Sequence, residues 1–596
     1  MDPGTIVGVV SLAFQIFSGC VKGCQLLLEA RDFPKNYAYL RHRLLLEQFR
    51  LLDWWGASDF TLETTFEDTS TTERRQLMID TMCQIRSLTL NIDHIKNRYG
   101  LTLKTTNNTG RDDALTPTGL ATFGPAERPS KRETLRQACL QFADKCLECP
   151  MRLRWATFDA TKFEQLLARF SDLNNLMHSN LEFAQRCQYI QVQEDMYIRV
   201  LQSCHKLDQV IELIQSLRLP TDHIPGGSSW GSNDNTFSAL GGLARFMALN
   251  MTVGEEAFSH DKDTVARMAL EAPSRESVEL AVLELNTQAK ENEKDIQRAA
   301  GTYNSTAVWV EWKYYDNFNA TLTLDYVKDR IARLAVLLHK KSEKPQELRL
   351  PAALGYVHDP SSRRFGLVFE SLALTRVSLP QSLYARLQTS MKPSLTMRLA
   401  MAQRLVVSLA YLHATKWLHK GLRSDNILFL TPSASDWQPF CLSGFDYSRP
   451  GGEMTELPTN DRKHDLYRHP DVQFDVPRDG EYGYKEMHDI YSLGVVLMEI
   501  GLWQPIHQFL GVSLNQLIPR PTIRGIRKSL LKAESLAILQ SEAGERFSEV
   551  VRLCLAVGLS LNELGSFGVI REDVVLPENS TACLQRAQQI LQSIIL

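Results

Sequence analysis

Apolar residues near the N-terminus recur at three- and four-residue spacing: Ile6, Val9, Val10, Ala13, Phe14, Phe17, Val21, Cys24 and Leu28. Gly8, Ser11, Gln15, Ser18, Gly19 and Lys22 fall mostly on the opposite side. That period predicts an amphipathic helix. Asp2 and Pro3 start it, because proline suits a first helical turn. Pro3 to Val21 carries no charge. As a helix this stretch reaches roughly 28 Å at about 1.5 Å per residue, close to a bilayer core of about 30 Å. Two readings follow. The helix is buried in a bundle, or it docks there and enters a membrane on release, with Ile6, Val9, Val10, Phe14, Phe17 and Val21 as insertion candidates. Gly4 with Gly8, and Gly19 with Gly23, have the spacing that lets two helices approach closely. No basic start precedes the apolar run, so a secretory signal is not expected.

Helical spacing returns over Phe33–Gly56, with Gly56 as a C-cap, then over Thr71–Tyr99, Glu133–Cys149, Phe163–Leu176 and Glu194–Leu217. Thr102–Lys131 is rich in Thr, Asn, Gly and Pro and reads as a mobile insertion. Successive helices without strand signals predict an all-α bundle over residues 1–218. Residues 219–300 read as a connector, partly helical, with a helix expected over Arg275–Ala299. The pattern then changes. Val308–Tyr315, Leu354–Asp359 and Arg364–Leu372 read as strands, and Leu324–His339 and His488–Gly501 as helices. Residues 301–596 are therefore expected to form an α+β domain, and the chain to be multidomain.

Composition narrows this little. Hydrophobic residues are 44%, charged residues 23%, and the formal net charge is -3. Such a balance is ordinary for globular protein and gives no reason to expect nucleic acid as a partner. Eleven cysteines over this length make no disulfide framework. Cys146 and Cys149 have CxxC spacing, with Cys139 upstream, but no second pair follows, so helical thiols are expected rather than zinc or another metal. A reducing, cytoplasmic compartment fits.

Two resemblances add to this reading. FPKNYAYLRHRLLLEQFRLLDWWG (Phe33–Gly56) and RWATFDATKFEQLLARFSDLNNL (Arg154–Leu176), in this order behind an apolar start, resemble the fungal HeLo domain of prion-inhibition and propagation proteins. The resemblance implies a helical bundle of the heterokaryon-incompatibility type. Such a bundle self-associates, exposes its first segment and disturbs the plasma membrane in programmed cell death.

The second resemblance is to a bilobal protein kinase. VWVEWKYY resembles the strand that carries the phosphate-binding lysine, which makes Lys313 that residue, and the following helix offers Asp329 as its acidic partner. HKGLRSDN (His419–Asn426) resembles the catalytic loop with Gly421 at the place of the base. GFD (Gly444–Asp446) resembles the metal-binding Asp-Phe-Gly motif with Gly444 at the place of its aspartate, and Asp446 stands two residues later. Asn426 survives as a candidate metal or nucleotide ligand, and Asp489 opens a helix like the buried one of the large lobe. No glycine-rich loop precedes Lys313. The resemblance implies a pseudokinase with no catalytic residue at either aspartate position; ATP remains open as a ligand through Lys313 and Asn426. The expected function is a cell-death effector whose membrane-active bundle answers to this pseudokinase. The alternatives are a non-toxic scaffold that binds only proteins, and an atypical active kinase using Asp425 and Asp446.

Overall fold

A computed structural model describes residues 3–58, 60, 69–90, 101–104, 131–146, 152–155, 158–217, 237–254, 276–287, 297–315, 324–342, 344–371, 379–389, 391–431, 437, 439–445, 449–450, 462–474, 483–560, 577 and 579–594. The chain divides into two compact units, residues 1–244 and 245–596.

The first unit holds helices α1 (Pro3–Leu28), α2 (Ala38–Ala57), α3 (Thr69–Leu90), α4 (Lys131–Cys146), α5 (Ala160–Ser179), α6 (Phe183–Ser203) and α7 (Leu207–Leu217), and the start of α8 (Ser238–Gly254). The division falls within α8. Asp159 caps α5 by accepting from the Lys162 backbone, which satisfies one of the free N–H groups of the first turn.

The apolar stripe of α1 packs on α2, α3 and α4. Phe17 stacks on Trp55 at 4.3 Å, and Phe14 meets Phe142 edge-on at 5.3 Å. Phe17 and Val21 are fully buried, and Phe14 is half-buried. Ile6, Val9 and Val10 lie in α1, but their side chains fall outside the described residues. Gly19 and Gly23 face α3, and a Cβ on Gly23 would lie 2.7 Å from Thr89 Cβ. Their spacing therefore serves a close helix contact inside the bundle. Among the described residues no helix is long and apolar enough to cross a membrane.

Opposite α1, the buried face of α2 is charged. Glu47 lies between Arg43 and Arg50, 2.9 Å from each, and accepts from Asn174 of α5 at 2.8 Å. Burial alone would raise the Glu47 carboxyl, but Arg50 and Arg43 hold it below its ordinary range.

Several expectations need correcting. The region is not purely helical: β1 (Leu101–Lys104) pairs antiparallel with β2 (Arg152–Trp155). Both runs alternate polar and apolar residues, and Leu153 and Trp155 are buried. Arg31 extends the pairing by bonding Leu153 and Trp155 through its backbone. Residues 105–130, 91–100 and Cys149 lie outside the described set. Gly56 does not cap α2, which runs on to Ala57. The single helix expected over 194–217 is two. Cys204 turns extended after α6, and the Gln209 side chain receives the backbone N–H groups of His205 and Lys206 to start α7. Among the described residues the helix expected over 275–299 does not form. Its described parts form 3-10 turns and two strands, which pair in register with Gly301–Tyr303 and Glu311.

The second unit opens with a five-stranded antiparallel sheet in the order β3 (Leu285–Thr287), β4 (Arg298–Tyr303), β5 (Thr306–Tyr314), β7 (Arg364–Glu370), β6 (Ala353–Asp359). The α9 helix (Leu324–Leu338) connects β5 to β6 and packs on β6 and β7. Alternate residues Val308, Val310 and Trp312 form a core with Ala299, Val357 and Val368. The rest is mostly helical: α10 (Leu395–Ala414), α11 (Glu486–Leu502), α12 (Arg520–Leu530), α13 (Ala533–Ala543), α14 (Glu545–Leu555) and α15 (Ser580–Gln592), with short strands β8 (Ile427–Phe429) and β9 (Phe440–Leu442) paired antiparallel. Helix α11 is buried along almost its whole length, with α10 and α14 against it.

Gly23→Leu is expected to push α1 off α3 and destabilise the protein by roughly 1–3 kcal/mol, the usual cost of overpacking. Chemical denaturation of the full chain measures it.

Candidate functional site

Residues 419–426 form a loop whose shape is fixed from below. Asp489, in the first turn of α11, is fully buried. Its carboxylate accepts from the backbone N–H groups of His419 and Lys420, each at 2.8 Å, from Tyr484 Oη at 2.8 Å, and pairs with His413 at 3.3 Å. Burial alone would raise its pKa, but these donors and His413 hold it down. The helix N-terminus favours the anion as well. Lys420 is left-handed, with φ 61. Asp489 thus does structural work on loop backbone.

A second anchor lies beneath the end of the loop. Ser424 Oγ lies 2.8 Å from Tyr467 Oη, which donates to Glu499 Oε1 at 2.7 Å. The same oxygen accepts the Ile506 N–H at 2.8 Å. Burial raises the Glu499 carboxyl to about 8 despite these donors.

The loop meets the sheet at Gly421, Asn426 and Gly444. Asn426 Nδ2 donates to Gly421 O at 2.7 Å. Gly444 has φ 78, a conformation that side chains disfavour, and a Cβ there would overlap the Asn426 side chain. A Cβ on Gly421 would stand 2.8 Å from Gly444 O. The two glycines and Asn426 therefore interlock.

Arg298 of β4 closes the junction. Its Nη2 donates to Asn426 Oδ1 at 2.6 Å, its Nη1 to Asp425 O at 2.8 Å, and its Nε to Glu311 Oε1 at 2.7 Å. Glu311, on β5 directly opposite Arg298, also receives Ser443 Oγ at 2.5 Å and the Gly444 N–H at 3.3 Å. Both oxygens of a buried carboxylate are thus engaged. Around Gly421 and Gly444 the described side chains are spent on hydrogen bonds within the fold, which brace the loop.

The structure brings Gly421, Asn426 and Gly444 together. Lys313 is half-buried two residues beyond Glu311, and Asp329 forms an ion pair with Arg333 at 2.6 Å. Asp446 lies outside the described residues. Sequence reasoning missed Arg298, Glu311 and Ser443. A signal for Glu311 was present: Val308-Trp309-Val310-Glu311 fits the Val-Ala-Ile-Lys pattern two residues earlier than the run ending on Lys313.

A second cluster joins His469, Asp471 and His488, whose ligand atoms lie within 4.8 Å of one another. Its hydrogen bonding does not suit a metal. A ligating histidine normally donates through its other nitrogen to an acceptor. Here His469 Nε2 faces Arg527 at 2.9 Å, and His488 Nδ1 accepts the Lys485 N–H at 3.0 Å. Burial, with Arg527 beside it, pushes His469 down to about 2.

Comparison with known proteins assigns both ends of the chain. Residues 4–216 match the HeLo family model, described as prion-inhibition and propagation, and residues 301–570 match a domain of unknown function, DUF7580. The N-terminal region is thus a HeLo domain, of a cell-death-type signalling family. No curated protein matches the chain.

Gly444→Asp is expected to lower stability by roughly 2–4 kcal/mol, through backbone strain and overlap with Asn426; urea denaturation reads it. Glu499 gives a pH signature. Its folded pKa of about 8 lies above the ordinary 4.5, so its contribution is fully present below about pH 4.5 and is lost as pH rises through 8. Glu499→Gln removes that loss, and its advantage in melting temperature over the wild type is expected to grow from pH 5 to pH 8.

Proposed function

We propose that the protein is a cell-death effector in which the HeLo bundle acts on the plasma membrane and residues 301–596 form a catalytically inactive, kinase-like sensor. The observation that carries the second half is the Arg298–Glu311–Asn426 network against Gly421 and Gly444. Phosphoryl transfer depends on positioning and on metal-borne charge stabilisation. A carboxylate at neither place leaves the substrate hydroxyl and the metal without their ligands. The order of elements supports the kinase-like reading: a strand with Lys313, then a helix, two strands, a loop pinned by Asp489, and a buried helix. Removing one preorganised group commonly costs about 2.7–4 kcal/mol of transition-state stabilisation, and this junction is without two.

The membrane half rests on the HeLo match and on the uncharged opening of α1. In the resting protein, held in the cytoplasm, α1 is docked through Phe17, Val21 and its glycine face. A protein partner or ligand of the sensor would favour a state in which α1 is free, and self-association would gather several such helices at one membrane. The burial of α1 also favours the alternative of a scaffold that never releases it.

The full chain, forced to oligomerise through a fused dimeriser, is expected to release dye from anionic liposomes, and the chain lacking residues 1–30 is not. Intact liposomes with both would sink the effector reading and leave the scaffold. The same protein is expected to transfer no phosphate from labelled ATP with magnesium or manganese. Transfer lost on Lys313→Ala would establish the atypical kinase instead. A thermal-shift titration with ATP, with and without magnesium, tells a nucleotide input from a protein one.

A further inference from the structure

Helix α12 carries a row of exposed cations along its outer side. Ile523, Ile526 and Leu530 are buried, and Arg527 is buried with them, donating to the carbonyls of Leu555 and Val557. The outer side holds Arg520, Arg524 and Lys528 at four-residue spacing, all exposed, and exposed Lys532 follows. Cations four apart on a helix repel one another. Arg520 in the first turn also faces the positive end of the helix dipole, and that turn contains no acid. Arg524, Lys528 and Lys532 form no ion pair with any described residue.

Phe474 adds an independent observation. It is a bulky residue in the left-handed region, with φ 61, and its N–H reaches Asp465 Oδ1 at 3.4 Å. Such a conformation costs energy and persists where the surroundings hold it. Its ring lies under the guanidinium groups of Arg520 and Arg524, at 5.1 and 5.7 Å. Leu517, 75% exposed, stands just before the helix. Arg462 ties that approach by donating to Ile518 O at 2.8 Å.

We infer that the outer face of α12 is a docking ridge for an acidic segment of another protein. The row is one cation wide, and Arg520 to Lys528 runs roughly 12 Å along the axis at about 1.5 Å per residue. A single extended or helical peptide matches that width. Guanidinium groups bind carboxylates through two parallel hydrogen bonds, which suits Asp or Glu side chains. Leu517 supplies an apolar contact at the end of the row. This inference goes beyond the reading of the Gly421–Gly444 junction and does not depend on it.

The test is a fluorescence-anisotropy titration of the full chain with a labelled twelve-residue peptide carrying Glu at every fourth position and Leu between. Saturable binding that weakens with salt is expected. Arg524→Glu with Lys528→Glu is expected to weaken it at least tenfold, since an exposed ion pair contributes up to roughly fivefold and reversal adds repulsion. The double variant is expected to remain folded at the assay temperature, read from its thermal melt, which separates lost docking from unfolding. Lys392→Glu, distant in sequence and paired with Glu542, is expected to leave binding unchanged. Three results would overturn the inference: no binding of the peptide, binding indifferent to the double reversal, or binding only to phosphatidylserine vesicles, which would assign the ridge to lipid.

Discussion

A carboxylate taken out of water must be neutralised or protonated, and Glu311 meets that requirement through Arg298. Much of the junction in the C-terminal unit follows from this pair. Arg298 faces Glu311 across neighbouring strands, so the pair belongs to the sheet. Its remaining donors are spent on Asp425 O and Asn426 Oδ1 in the helical part. The free oxygen of the carboxylate takes the Gly444 N–H. One ion pair therefore sets where the loop stands against the sheet. Removing a single partner of such a pair commonly costs about 3–5 kcal/mol, because the other charge is left buried.

The HeLo bundle solves the same problem differently. Glu47 is shared between two arginines of its own helix, and Asn174 of α5 completes the set. Ser171 and Asn175 of α5 accept from Arg43 Nη2 and Arg50 Nη2. An apolar interface would allow α2 to slide along α5; these bonds form in a single register. On its other side α2 offers Trp55 to Phe17 of α1. The contact of α1 is aromatic and glycine-spaced, while that of α5 is ionic. Water can solvate an exposed ion pair but not an exposed aromatic face, so undocking α1 needs another apolar surface to receive it.

The parts of this architecture legible in the sequence were those with a strong period. The α1 stripe, the α5 run from Phe163 to Leu176 and the α11 run from His488 to Gly501 each repeat every three to four residues over several turns. The misread parts depend on contacts the chain makes elsewhere. Four-residue strands such as Leu101–Lys104 carry too few positions to establish a period, and their partner lies far along the chain. The break between α6 and α7 is made by one glutamine side chain. At the junction the glycines and Asn426 were legible, because they stand in a recognisable run. Arg298 was not, since no local pattern marks it. Strand side chains alternate with period two, so Glu311 and Lys313 share a face and only the fold says which one meets Gly444.

That distinction bears on what the two glycines mean. A site that had merely lost two side chains would keep space beside the glycines. Here the space is occupied: Asn426 lies where a Gly444 side chain would project, and Gly444 O lies against Gly421. The neighbours supply the remaining polarity. Arg298 brings a fixed positive charge to the junction, and Glu311 brings the negative charge that meets it. The junction is therefore held in one shape by charges and hydrogen bonds that satisfy each other within the fold.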